Sequence, residues 1–240
     1  TLSKILTSNG FKRSSTDQCV FTLLKDHNIT VVITYVHDLI IMADKEEDLR
    51  QAEKIIQDNF PSDPFQDPHL FLNISITYDR DKGTMQLSQS HYTKEIIAAF
   101  NMENCKAIGC PMDPGFLKTD HKGIDTSAPY RKLIGKLLYL STRTRPDIAT
   151  AVSILSRHLA DPKEAHWNAA KRILKYLRGT LDLGITFKGS DSGELKAYAD
   201  ASFLSDSDTS RSRTGFVILY NNAPIAWNSK LQRTIALASA

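Results

Sequence analysis

Tyr35-Val36-His37-Asp38 separates two apolar, β-branched runs, residues 29–34 (Ile-Thr-Val-Val-Ile-Thr) and 39–42 (Leu-Ile-Ile-Met). Such composition predicts two strands, and the polar residues between them predict a tight turn. The hairpin presents the Asp38 carboxylate at its tip. Working outward, residues 19–24 form another β-rich run, set off by Asp26-His27-Asn28, a hairpin signal. On the other side, Asp44 is placed to cap a helix running to about residue 60, with Glu46, Glu47 and Asp48 in its first turn, where the macrodipole favours acid. Before the strands, residues 2–8 read as the end of a helix stopped by Asn9-Gly10. Strands mixed with helices in this way predict an α+β fold.

Farther along, Pro61, Pro64 and Pro68 interrupt the chain, and residues 71–78 and 84–87 form a second hairpin around 79–83. Residues 90–101 read as helix. Residues 104–126 carry Gly109, Pro111, Pro114, Gly115 and Gly123 and read as a linker. Three helices follow: 127–141 with one apolar face, 146–159 opening on Pro146, and 163–177, with Asp161 as its N-cap acid, Pro162 just inside and Gly179 as its stop. The remainder returns to strands at 184–188, 195–199, 214–220 and 224–227.

The net charge of +3 conceals an asymmetry. Residues 1–126 carry 13 Lys and Arg against 18 Asp and Glu, residues 127–180 carry 11 against 3, and residues 181–240 carry 6 against 6. The positive field comes from the helical block, and that points to a polyanionic partner. The 41% hydrophobic content is enough for a real core, and no apolar run reaches the length of a membrane span. Thr1 is not an initiator Met and no secretory leader follows it, so an internal piece of a longer intracellular chain is expected. The three cysteines, Cys19, Cys105 and Cys110, form no CxxC and fit free thiols in a reducing compartment, cytoplasmic or nuclear.

A turn that offers adjacent carboxylates is one way to hold the two divalent metals of phosphoryl transfer. Here Asp38 supplies one carboxylate, and His37 is a poor ligand for hard, oxygen-seeking Mg²⁺. A softer metal on His37 and Asp38 would need further ligands. The plain alternative is a β-hairpin with a polar turn.

The flanking sequence weighs against that alternative. Asn9-Gly10-Phe11, Asp17, Tyr35-Val36-x-Asp38-Leu39-Ile40, Phe71-Leu72-x-Ile74 and Leu87-Ser88-Gln89-x-x-Tyr92 follow in order. Then come Tyr130-Arg131-x-Leu133-Ile134-Gly135-x-Leu137-Leu138-Tyr139-Leu140, Thr144-Arg145-Pro146-Asp147-Ile148-Ala149, and the stretch from His166-Trp167 to Arg178-Gly179-Thr180. Tyr198-Ala199-Asp200-Ala201, Arg213-Thr214-Gly215-Phe216 and Ala226-Trp227-Asn228-Ser229-Lys230 complete the series. In this order the motifs resemble the second half of a Ty1/copia-type retrotransposon reverse transcriptase running into its ribonuclease H domain, and the likeness covers essentially the whole chain.

The resemblance implies a partial reverse-transcriptase palm at 1–103, a linker at 104–126, a basic helical thumb or connection at 127–180, and a truncated α/β ribonuclease H-like domain at 181–240. It implies RNA-directed DNA synthesis with Mg²⁺, with Asp38 and Asp200 as metal-holding catalytic acids and Tyr35 supporting the primer–template. It implies an RNA/DNA template–primer or RNA–DNA hybrid as partner, no membrane, and the rest of a Pol polyprotein as companion. Three departures stand out. His37 replaces the family's first turn Asp, a change that a single base substitution makes. Asn73 replaces the usual Gly of Phe-Leu-Gly-Ile, and Asn tolerates left-handed backbone better than most residues. The first palm acid and the remaining ribonuclease H acids would lie before Thr1 and after Ala240. Polymerisation and hydrolysis are therefore expected to be lost.

Lys171, Arg172, Lys175 and Arg178 recur at helical spacing beside Ile173, Leu174 and Leu177. A positive face next to a packed one binds phosphates with little sequence preference. Arg131, Lys132 and Lys136 extend the track on the first helix, joined by Arg143 and Arg145; an ordinary solvated face is the bland alternative. Trp167 is expected in the core, His158 and His166 form no ligand pair, and Asp206 and Asp208 are expected as solvated loop acids. Two non-enzymatic readings stand beside the family reaction: a nucleic-acid-binding module that has lost catalysis, and a genomic relic.

Overall fold

The computed structural model describes residues 1–36, 38–116, 123, 126–189, 193–202, 206 and 209–235. His37, Asp208 and residues 117–122 of the expected linker lie outside the described residues. The chain forms two compact units, 1–71 and 72–240. The boundaries expected at 103, 126 and 180 all fall within the second.

In the first unit, α1 (Leu2–Ser8) is followed by four strands, β1 (Lys12–Arg13), β2 (Val20–Lys25), β3 (Asn28–Tyr35) and β4 (Asp38–Ala43), which form an antiparallel sheet in chain order. The β2–β3 turn places Asp26 and His27 at φ +49° and +66°, the twist that two-residue hairpins require. Alternation along β3 sends Thr30 and Val32 inward. With Leu6, Phe11, Phe21, and Ala52 and Ile56 of α2 (Glu46–Gln57), Val32 forms the core of this unit. Asp44 does not cap α2 as expected. Its carboxylate accepts the Ile29 N–H at 2.7 Å across the sheet, and Lys45 takes the N-cap position. The short strand β5 (Leu70–Phe71) ends the unit.

In the second unit, β6 (Ile74–Asp79) and β7 (Thr84–Ser88) make the second hairpin, and β8 (Ile185–Lys188) pairs antiparallel with β7. Sequence order grouped β8 with the strands after it, but pairing puts it here. Gly184 permits the approach, because a Cβ there would collide with the Leu87 carbonyl. The helices are α3 (Ser90–Ala99), α4 (Tyr130–Arg143), α5 (Ala149–Leu155) and α6 (Glu164–Gly179). Single 3₁₀ turns flank α5 at Pro146–Ile148 and Ser156–His158. Their apolar faces meet in one core containing Ile96, Leu133, Leu137, Val152, Ile173 and Leu177. Burial of these side chains is the main force holding the block together. Strands β9 (Leu195–Ser202), β10 (Arg213–Tyr220) and β11 (Ala223–Leu231) form a separate antiparallel meander. Trp227 of β11 donates its indole N–H to the Ser141 carbonyl of α4 at 2.6 Å, which ties the meander to the helices. Among the described residues, no helix is long and apolar enough to cross a membrane.

Candidate nucleic-acid interface

Tyr35 and Asp38 face each other across the β3–β4 turn, and both are exposed. Val36 between them is 83% exposed and holds φ +51°, a left-handed conformation unusual for a β-branched residue. Asp38 borders a cavity of about 620 Å³ whose wall also carries Asp63, Asp67 and His69. Among the described residues, no three His, Cys, Asp or Glu side chains converge closely enough to hold an ion. Asp38 alone does not fit a two-metal site.

Asp200 sits on β9 opposite Gly215 of β10 and lines a cavity of about 600 Å³ with Tyr198, Phe216 and Trp227. It is the one carboxylate among the described residues lining that cavity, so this donor set does not fit two metals either. Asp206 corrects an expectation: it is 5% exposed, not solvated. It is ion-paired with Arg157 (Nη2 to Oδ2 3.1 Å, with a closer Nη1–Oδ1 contact) and accepts bonds from the Thr209 N–H and hydroxyl. Burial pushes its carboxyl up, but the bonds from Arg157 and Thr209 and the Arg157 charge outweigh that and hold it below the usual range.

The cations divide into two groups. Lys132 and Lys175 are exposed. Lys136 lies half-buried, its ammonium 5.3 Å from the Tyr92 ring centre, and Lys171 lies 5.7 Å from the Trp167 ring centre. Arg172 is half-buried, and its Nε is enclosed without a hydrogen-bond partner. Other arginines are committed to the fold. Arg131 donates to the Leu159 carbonyl at 3.3 Å and Arg178 to the Cys105 carbonyl at 2.6 Å. Arg145 does not join a phosphate track: it is 2% exposed, gripping the Asp147 carboxylate at 2.7 Å, and the Thr180 carbonyl and hydroxyl at 3.0 and 2.6 Å. Trp167 packs as expected, its ring 6.0 Å from Phe100.

The family model described as reverse transcriptase (RNA-dependent DNA polymerase) matches residues 1–114. The Pol polyprotein of transposon TNT 1-94 from Nicotiana tabacum is 33% identical over 97% of this chain, which covers 18% of that protein. The Pol polyprotein of transposon RE2 from Arabidopsis thaliana is 34% identical over 99% of this chain, covering 16% of that protein. Over nearly its whole length the chain is similar to the Pol polyproteins of Ty1/copia-type retrotransposons. It spans less than a fifth of the length of these two Pol relatives (18% and 16%). A protein called secreted RxLR effector protein 161, from Plasmopara viticola, is 40% identical over 113 residues, 47% of this chain and 80% of that protein. No solved structure matches.

Several of the Pol-like motifs turn out to brace the helical block, a role their spacing did not reveal. Tyr130 donates its hydroxyl to the Leu155 carbonyl at 2.7 Å, and burial pushes its phenol up. Thr144 donates to buried Gln89 at 2.9 Å, which links two motifs 55 residues apart. Tyr139 donates to the Leu72 carbonyl. Leu72 and Asn73 both have left-handed backbone, φ +52° and +58°, in the motif where Asn replaces Gly. His166 accepts the Lys163 N–H at 2.9 Å, so the cap of α6 is not the expected Asp161, which pairs with the Lys163 ammonium at 2.9 Å. His166 also stacks on His158, with ring centres 3.9 Å apart.

Proposed function

We propose that this chain is the later part of a Pol reverse transcriptase whose polymerase turn is disabled and whose basic helices still bind an RNA–DNA template–primer. In this reading residues 1–103 are palm, 104–126 linker, 127–180 thumb or connection, and 181–240 ribonuclease H-like sheet. It is an intracellular protein of the cytoplasm or nucleus. The observation that carries it is the Tyr35–Asp38 turn, where an exposed Asp38 is accompanied by His37 in place of a second carboxylate. Two metals need more oxygen ligands than one carboxylate supplies.

Support for binding comes from Lys132, Lys136, Lys171, Arg172 and Lys175, none of which is ion-paired with a carboxylate among the described residues. Binding through such residues is electrostatic and falls with salt. Primer extension with Mg²⁺ and then Mn²⁺ tests the loss of polymerisation: no product is expected, and robust extension by the chain as it stands would overturn it. His37→Asp in a full-length Pol context is expected to restore synthesis if the rest of the scaffold is competent. Fluorescence anisotropy with a hybrid across a salt series tests the binding half.

A further inference from the structure

One cavity of the second unit is walled by cations. It measures about 530 Å³ and is lined by Met102, Cys105, Lys106, Asn168, Lys171 and Lys175. Lys106 comes from the connection after α3, and Lys171 and Lys175 sit one turn apart on α6. Among the described residues, no carboxylate lines it. Three ammonium groups around a concave wall repel one another, and that arrangement is stable only when an anion or solvent counter-ions sit between them. Across the ridge formed by Asn168 and Lys175 lies a second cavity of about 520 Å³, where Arg172, with its enclosed and unpartnered Nε, joins them. Asp113 is the one acid among the described residues lining that second cavity, and its Oδ1 accepts the Gly115 N–H at 2.9 Å.

The position of Lys106 is set by Arg178. The Arg178 guanidinium donates to the carbonyl of Cys105, the residue immediately before Lys106, at 2.6 Å. That bond holds the connection against α6 and brings Lys106 up to Lys171 and Lys175.

We infer that the Lys106–Lys171–Lys175 cleft is a seat for the sugar–phosphate backbone of a nucleic acid, that the Arg172 cavity takes a neighbouring phosphate, and that Arg178 is a positioning residue rather than a phosphate contact. Charge complementarity selects this occupant. The cleft offers three ammonium donors and an amide, and Met102 is the one large apolar side chain among its described lining residues, so it fits a line of phosphates better than a peptide. The inference rests on the binding proposed above and adds to it a contact outside the basic helices, Lys106, and a changed role for Arg178.

The test uses the full chain and an RNA–DNA hybrid of about 20 base pairs, with affinity read by anisotropy across a salt series. Lys106→Gln is expected to weaken binding about tenfold and to reduce the magnitude of the salt slope by about 1, as Lys175→Gln does. Arg178→Lys keeps the charge but not the planar fork that grips a carbonyl. It is expected to weaken binding even though the cation remains, and a further Lys106→Gln change is then expected to add little. Alkylation of Cys105, read by mass spectrometry of its peptide, is expected to slow when hybrid is bound. The exposed Cys19 and Cys110 provide internal comparison. If Lys106→Gln leaves affinity and slope unchanged while Lys171→Gln and Lys175→Gln reduce both, the cleft is refuted and helix-based binding stands. If the unsubstituted chain does not bind hybrid, both fall. Equal binding of an acidic peptide, with the same loss on Lys106→Gln, would overturn the choice of occupant.

Discussion

Arg145 shows how a residue's charge misleads when its surroundings are unknown. In sequence it belongs to a block of positive charge, and a phosphate contact is the natural reading. In the fold it is, with Tyr130, among the largest fully buried side chains of the described residues. It joins the corner between α4 and α5 to the end of α6 through Asp147 and Thr180. Arg145→Met removes a planar donor, leaves the Thr180 carbonyl without its bond from the guanidinium and takes the counter-charge away from Asp147. It is expected to lower stability by about 2–4 kcal/mol in urea denaturation, with Lys132→Met changing it by less than about 0.5 kcal/mol. Asp206 makes a prediction with a pH window. Its pKa is depressed in the fold below the ordinary 3.8, so its stabilisation is fully present above that value and is lost as pH falls through the lower folded pKa. Asp206→Asn should therefore melt lower than the parent at pH 7, and the gap should shrink steadily below about pH 4. A gap that persisted unchanged to pH 2 would refute the ion pair with Arg157 as its source.

At the scale of elements, turns and caps carry the strain and the surprises. The β3–β4 turn places a β-branched valine at φ +51°, which costs about 1–2 kcal/mol relative to residues that suit left-handed backbone. Val36→Gly recovers part of that and loses some chain entropy, so a net gain of about 0.5–1 kcal/mol is expected in thermal melts. An unchanged or lower Tm would mean that Val36 is not strained. The opposite sign holds for Gly184, where β8 approaches β7 so closely that a Cβ would meet the Leu87 carbonyl. Gly184→Ala is expected to destabilise by about 2 kcal/mol or more, and exchange of the β7–β8 amides would report it. Both caps expected from acids failed for a common reason. The carboxylates of Asp44 and Asp161 are engaged elsewhere, by the Ile29 N–H and the Lys163 ammonium, and Lys45 and Lys163 occupy the N-cap positions.

For the whole molecule, charge is distributed unevenly between parts of the chain. Residues 1–126 carry an excess of acid, while 127–180 hold 11 Lys and Arg against 3 Asp and Glu. Binding to an RNA–DNA hybrid should therefore show a log–log salt slope of about −4, the number expected when several but not all of these cations reach phosphates. Asp38→Asn, in the first unit, should leave both affinity and slope within about twofold. A marked loss on that change would move the nucleic-acid contact to the turn and away from the helices.

The order of helices and strands, the acid-poor helical block and the likeness to Pol polyproteins were all legible in the sequence. They depend on local periodicity, composition and runs of motif that survive without three-dimensional information. The hairpin around Tyr35–Asp38 was legible because two β-branched runs and a polar turn are a local signal. Tertiary structure decided what each polar side chain does. It paired β8 with β7, since register depends on partners far away in the chain. It turned Arg145 and Asp206 inward, because a buried charge is tolerated only where packing delivers its partners, Asp147 and the distant Thr180 for Arg145 and the distant Arg157 for Asp206. It also brought Lys106 beside Lys171 and Lys175 across a connection whose composition marks it only as irregular. Local propensity can place a cation on a helix, but only packing determines whether a carbonyl, a carboxylate or open space stands in front of it.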